Sequence, residues 1–103
     1  MMSVDSHELV KHYLHGRNLE QLGRLEEAVE EYEVVVAEEF DSTGPYDRLI
    51  AVYAHQARHA DVVRVADAAL AHVRTHRDKA AWYERMRAEA LRAAAGIPKP
   101  APK

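Results

Sequence analysis

This chain of 103 residues predicts an all-α protein of about five helices. Three observations carry that expectation. Apolar residues recur at three- and four-residue intervals along most of the chain, as Leu25, Ala28, Val29, Tyr32, Val35 and Val36 do in the stretch "GRLEEAVEEYEVVVAEEF", Gly23 to Phe40. No run alternates apolar and polar residues as a half-buried strand would. Ala, Glu, Arg and Leu, all good helix formers, fill most positions.

Taken in order, Asp5 with Glu8 three residues on reads as a capping box, opening a first helix that extends to about Leu22. Gly23 supplies the left-handed residue that ends it. The second helix covers about Leu25 to Glu39. A single apolar stripe cannot stand alone in water, so Leu25, Ala28, Tyr32 and Val35 are expected to pack on the first helix and against the third. Its carboxylates Glu26, Glu27, Glu30, Glu31, Glu33, Glu38 and Glu39 are expected to face water. The loop "DSTGPYDR" follows, and its Pro45 suits the first turn of a third helix, about Pro45 to Gln56. A fourth helix is placed at about Ala60 to Val73. A fifth, capped by Thr75 or Asp78, runs from about Lys79 to Ala95. The closing "GIPKPAPK" is proline-rich and reads as an extended or flexible tail.

The totals bound the function. The length suits one domain able to fold without staples, and the absence of cysteine excludes disulfides and thiolate metal sites. With no basic leader at its start and no run near the roughly 20 apolar residues of a membrane span, a cytoplasmic protein that engages no membrane is the default expectation. A net charge of −3 argues against nucleic acid as a partner. That figure hides an asymmetry, since residues 1–41 carry a balance of −8 and residues 42–103 one of +5.

The chain also resembles itself. Shifted by 34 residues, His12, His15, Gly16, Leu19, Ala28 and Tyr32 fall on Tyr46, Leu49, Ile50, Tyr53, Val62 and Ala66. A helical hairpin recurring at that period resembles the tetratricopeptide repeat, in which small residues let paired helices approach and large ones fill the gap to the next hairpin. The first repeat keeps the family's glycines as Gly16 and Gly23, its alanine as Ala28 and its aromatic as Tyr32, and departs from the pattern at His12, His15 and Phe40. The second keeps Tyr46, Leu49 and Tyr53 and departs at Ile50, Ala57, Val62, Ala66 and Arg74. Ala66, small where the pattern is large, is expected to offset Ile50, which is too large for a close crossing. The resemblance implies antiparallel hairpins stacked as a short right-handed solenoid. It gives a single domain over residues 1–96, with repeats at about 9–42 and 43–76, a capping helix at about 79–95, and a flexible Pro-rich tail at 97–103. Solenoids need such a cap to cover their last apolar face.

Seven histidines raise the question of a metal. His55 with His59, and His72 with His76, stand at i, i+4, but neither pair sits in an H-E-x-x-H string and a zinc site wants three or four ligands, so no metal and no cofactor is expected. His12 and His15, at apolar positions of the repeat, are expected as half-buried packing residues. No catalytic constellation stands out, and a noncatalytic protein is expected.

The inner surface remains. In the family the first helix of each hairpin lines a concave groove. Carried over by spacing, partner-binding residues are Tyr13 and Arg17 from the first helix, Asp47, Arg48 and His55 from the third, and Trp82 and Arg85 from the fifth. Arg17, Arg48 and Arg85 would form a ladder of cations suited to an acidic segment, with Tyr13 and Trp82 receiving an apolar side chain. Family members that clamp the carboxylate end of chaperone tails use Lys and Asn where this chain has Tyr13, Arg17 and Arg48, and Lys and Arg where it has Asp78 and Trp82. The match fails at each position. The expectation is therefore a protein–protein interaction module binding a protein or peptide in its groove. The alternative is a self-associating structural protein whose acidic and basic halves dimerise or stack.

Overall fold

Five α-helices follow one another in the computed structural model, which describes residues 6–74 and 77–97: α1 (Ser6–Gln21), α2 (Leu25–Ala37), α3 (Thr43–His55), α4 (His59–His72) and α5 (Ala80–Ala94), the last preceded by a 3₁₀ turn at Arg77–Lys79. No strand occurs among the described residues. Each helix packs on the next in the chain. The capping aspartate Asp5, the alternative cap Thr75 and the tail beyond Ile97 lie outside the described residues. Asp78 falls in the 3₁₀ turn instead of capping α5, and Lys79 occupies the cap position without a side-chain hydrogen bond.

The hairpin turns are built by backbone geometry that recurs 34 residues apart. At the end of α1, Gly23 has φ +78°, the N–H of Arg24 donates to the carbonyl of Leu19 (2.9 Å) and that of Gly23 to Glu20 (3.1 Å). At the end of α3, Ala57 has φ +58°, the N–H of Arg58 donates to Tyr53 (2.9 Å) and that of Ala57 to Ala54 (3.1 Å). Both are Schellman closures. In the second, alanine holds the left-handed conformation that glycine adopts without steric cost.

Two boundaries differ from expectation. α2 ends at Ala37, because Glu39 takes a positive φ of 57° and cannot continue the helix. α3 begins at Thr43, two residues before Pro45. The third helical position has no intrahelical acceptor for its N–H, so a proline there forfeits no hydrogen bond.

One core threads all five helices: Leu19; Ala28, Tyr32 and Val36; Tyr46, Leu49, Ile50 and Tyr53; Val62, Val65, Ala66 and Ala69; Tyr83 and Ala90. A Cβ on Gly16 would lie 2.6 Å from the Tyr32 ring, so glycine is what allows that ring to cross α1. Thirty-four residues on, the sizes are exchanged, with Ile50 on the first helix of the hairpin and Ala66 on the second, and both are fully buried. The exchange leaves the summed volume of the two positions nearly unchanged.

Candidate functional site

Side chains sort the helices into two sets. The odd-numbered helices are joined by polar contacts and by Tyr13 of α1, whose ring occupies the space a Cβ on Gly44 of α3 would take (2.7 Å). The even-numbered pair is joined by Arg64 of α4, which donates to Glu33 of α2 (3.0 Å) and to Asp61 (3.1 Å). All seven residues expected at a groove lie on the odd-numbered set.

Two carboxylates hold that set together. Glu20 of α1 accepts from the Tyr32 hydroxyl of α2 (2.7 Å) and from Nε of Arg48 on α3 (3.0 Å), with Nη2 of Arg48 on its second oxygen. The Arg48 fork holds the Glu20 carboxyl below its usual range against the opposing effect of burial. Asp47 of α3 accepts from the Tyr83 hydroxyl of α5 (2.7 Å), and Lys79 Nζ stands 3.2 Å from its other oxygen. Burial, then the bond to Asp47, pushes the Tyr83 phenol up.

These contacts revise the ladder of cations. Arg48 is already paired, with its side chain 38% exposed against 17% for Glu20. Asp47 is likewise engaged within the chain. Tyr13 is half-buried, its ring 5.9 Å from that of Tyr32, and its hydroxyl accepts from Arg17 (3.1 Å). Trp82 is half-buried at the edge of the core, with Tyr83 5.5 Å away and Lys79 Nζ 4.4 Å above its ring. His55 is exposed and borders a recess of about 230 Å³ with Glu20, Leu25, Arg48, Ala51 and Val52. Arg85 is exposed and makes no ion pair among the described residues. The structure thus leaves Arg17, Ala51, His55 and Arg85 as open side chains of the odd-numbered helices.

No family model matches the chain, and neither the curated proteins nor the solved structures give a match.

Of the two histidines expected to be half-buried, His12 is half-buried and His15 is exposed. His12 and His15, placed by the repeat pattern among packing residues, turn to a carboxylate of α2: Nδ1 of His12 lies 2.5 Å from one oxygen of Glu31 and Nδ1 of His15 3.1 Å from the other. Burial would raise the Glu31 carboxyl, but the two imidazoles, through hydrogen bonds and electrostatic attraction together, outweigh it and lower it. His59 opens α4 while His55 closes α3, which separates that pair between two helices, and His76 lies outside the described residues. Among the described residues no group of three or more metal-ligating side chains is arranged to hold an ion.

The acidic face of α2 is also divided. Glu26, Glu27, Glu30 and Glu38 are exposed as expected, whereas Glu31 turns to α1 and Glu33 to α4. Other acids of the negative first segment reach across as well: Glu39 to His72 (3.7 Å) and Asp41 to the backbone N–H of Arg74 (2.7 Å). The pairs Glu20–Arg48 and Glu33–Arg64 cancel part of the charge asymmetry inside the molecule, where they join the first hairpin to the rest.

No helix among the described residues is long and apolar enough to cross a membrane.

Proposed function

We propose that the chain is a two-hairpin tetratricopeptide-like interaction module whose odd-numbered helices line a concave groove for a segment of another protein. The observation that carries this reading is the open row Arg17, Ala51, His55 and Arg85, contributed by three helices that Glu20 and Asp47 hold in place, with Tyr13 and Trp82 half-buried beside it. Rigid helices presenting arginine beside aromatic rings have the composition of binding hot spots. The 34-residue recurrence of the turn geometry supports the repeat reading.

A photo-crosslinking residue at Ala51 tests it against the same residue at Ala71, which is exposed on α4. In cells, partner adducts are expected from position 51 and not from 71. Adducts confined to position 71 would place the binding surface on the opposite set of helices.

A second reading, self-association, is favoured by the apolar side chains left open on the terminal helices, Val10 and Leu14 of α1 and Leu91 of α5. Sedimentation at low and high salt separates the forms this takes. A charge-driven dimer weakens with salt and an apolar one does not, while a monomer at both salts removes the reading.

A further inference from the structure

Apart from Arg77, the arginines fall into two groups. Arg24, Arg58, Arg64 and Arg87 each hold a carboxylate, from Glu27 (2.6 Å), Asp61 (2.8 Å), Glu33 (3.0 Å) and Asp67 (2.6 Å) respectively, and Arg48 holds Glu20. Arg17, Arg74, Arg85 and Arg92 make no ion pair among the described residues. Arg92 is in the last turn of α5, where the helix dipole favours a cation, and Arg74 follows the end of α4. Arg17 and Arg85 sit at no helix end, and Arg17 is held only by the neutral Tyr13 hydroxyl (3.1 Å). Both sit within odd-numbered helices, one on each side of α3, and between them Arg48 is neutralised by Glu20 while Ala51 and His55 are open. Positive charge that no carboxylate of the described residues neutralises thus stands at the two edges of the layer, with the neutralised Arg48, the small Ala51 and His55 in the middle.

We infer that the segment taken up by this layer is acidic at two separated points, its carboxylates pairing with Arg17 and Arg85 while the residues between lie over Ala51. This rests on the groove reading above. With neighbouring helices about 8–10 Å apart, the two edge helices are about 16–20 Å apart. An extended chain advances about 3.3 Å per residue, so the two acids are about five or six residues apart in the partner. Trp82 lies one helical turn from Arg85 and is the only tryptophan, which makes its emission a reporter of the layer's occupancy.

The probe is a labelled peptide with two glutamates about six residues apart in a Gly, Ser and Leu background, titrated into the full chain beside its two-glutamine counterpart. The glutamate peptide is expected to bind with a change in Trp82 emission, to weaken as salt rises, and to lose about tenfold in affinity in the Arg17→Gln, Arg85→Gln double variant. Arg24→Gln, on the hairpin turn and paired with Glu27, is expected to bind as the parent does. Circular dichroism establishes that the variants fold. Equal binding of the two peptides, each perturbing Trp82, would overturn the acidic preference and leave the groove reading standing. Undiminished binding by the double variant, or no binding of the glutamate peptide, overturns the inference. Crosslinking from Ala51 to a cellular partner then decides the groove reading by itself.

Discussion

Replacing Tyr32, Tyr46 and Tyr83 one at a time by phenylalanine should give two different answers from three fully buried rings. All three belong to the same core, so the change removes one oxygen each and leaves the packing intact. The Tyr32 hydroxyl donates to Glu20 and the Tyr83 hydroxyl to Asp47, both at 2.7 Å, whereas the buried Tyr46 hydroxyl has no hydrogen-bond partner among the described residues. A hydrogen bond to a charged acceptor contributes about 1.5–3 kcal/mol. Glu20 keeps both Arg48 contacts and Asp47 keeps Lys79, so the loss for Tyr32→Phe and Tyr83→Phe should sit near the lower end, about 1.5 kcal/mol. For a domain of this size that lowers Tm by about 6–12 °C. Tyr46→Phe removes a hydroxyl that was dehydrated without compensation, so it should be neutral or stabilising by up to about 1 kcal/mol. Urea unfolding followed by circular dichroism and by Trp82 emission measures all three, and an unchanged m-value keeps the comparison on the folded state. If Tyr46→Phe loses as much as the other two, the phenol does have an acceptor, and the bonds to Glu20 and Asp47 are not what distinguishes the three rings.

The same phenols give a prediction at high pH. Burial, then the charges of Glu39 and Asp41, pushes Tyr46 up to about 12, and burial and hydrogen bonding raise Tyr32 and Tyr83 further. An unfolded tyrosine releases its proton near 10, so the stability these groups confer is complete below about pH 10 and is lost as pH rises through their folded values. Absorbance titration at 295 nm should show buried phenols ionising only with unfolding, and normal titration in the folded state would contradict their burial. Ala57→Gly, which relieves the left-handed alanine of the second turn, should stabilise by about 0.5–1 kcal/mol in thermal melts; a loss of stability would mean the turn is not held as described. Ala28, fully buried opposite α1, should cost about 1–3 kcal/mol when enlarged to Leu, while Glu30→Ala on the exposed face should change little. Equal melting temperatures for those two variants would show the faces of α2 to be misassigned.

Helix positions, the turn at Gly23 and the buried stripe of α2 were legible in the chain because a helix is a local object. Its hydrogen bonds close within four residues and its faces follow from a period of 3.6. The turn at Ala57 was less legible, because an alanine holds the left-handed position there, yet it closes with the same backbone hydrogen bonds as the turn at Gly23. The early start of α3 was not legible, because the first three helical positions make no intrahelical N–H bond and Pro45 fits any of them.

What the charged residues do was decided by the tertiary structure. Spacing placed Arg48 and Asp47 on the face of α3 assigned to a partner, but nothing local distinguishes a free guanidinium from one met by a carboxylate 28 residues earlier in the chain. The same holds for Glu31 and Glu33, two members of one acidic run that pair with different helices, and for His12 and His15, whose apolar pattern positions gave no hint that Glu31 faces them. A residue's face is fixed by its own helix, whereas its partner is fixed by which helix is brought alongside and at what height. Only after Glu20, Asp47, Glu31 and Glu33 have taken their partners does the surface show which cations, Arg17 and Arg85 among them, meet no carboxylate of the described residues.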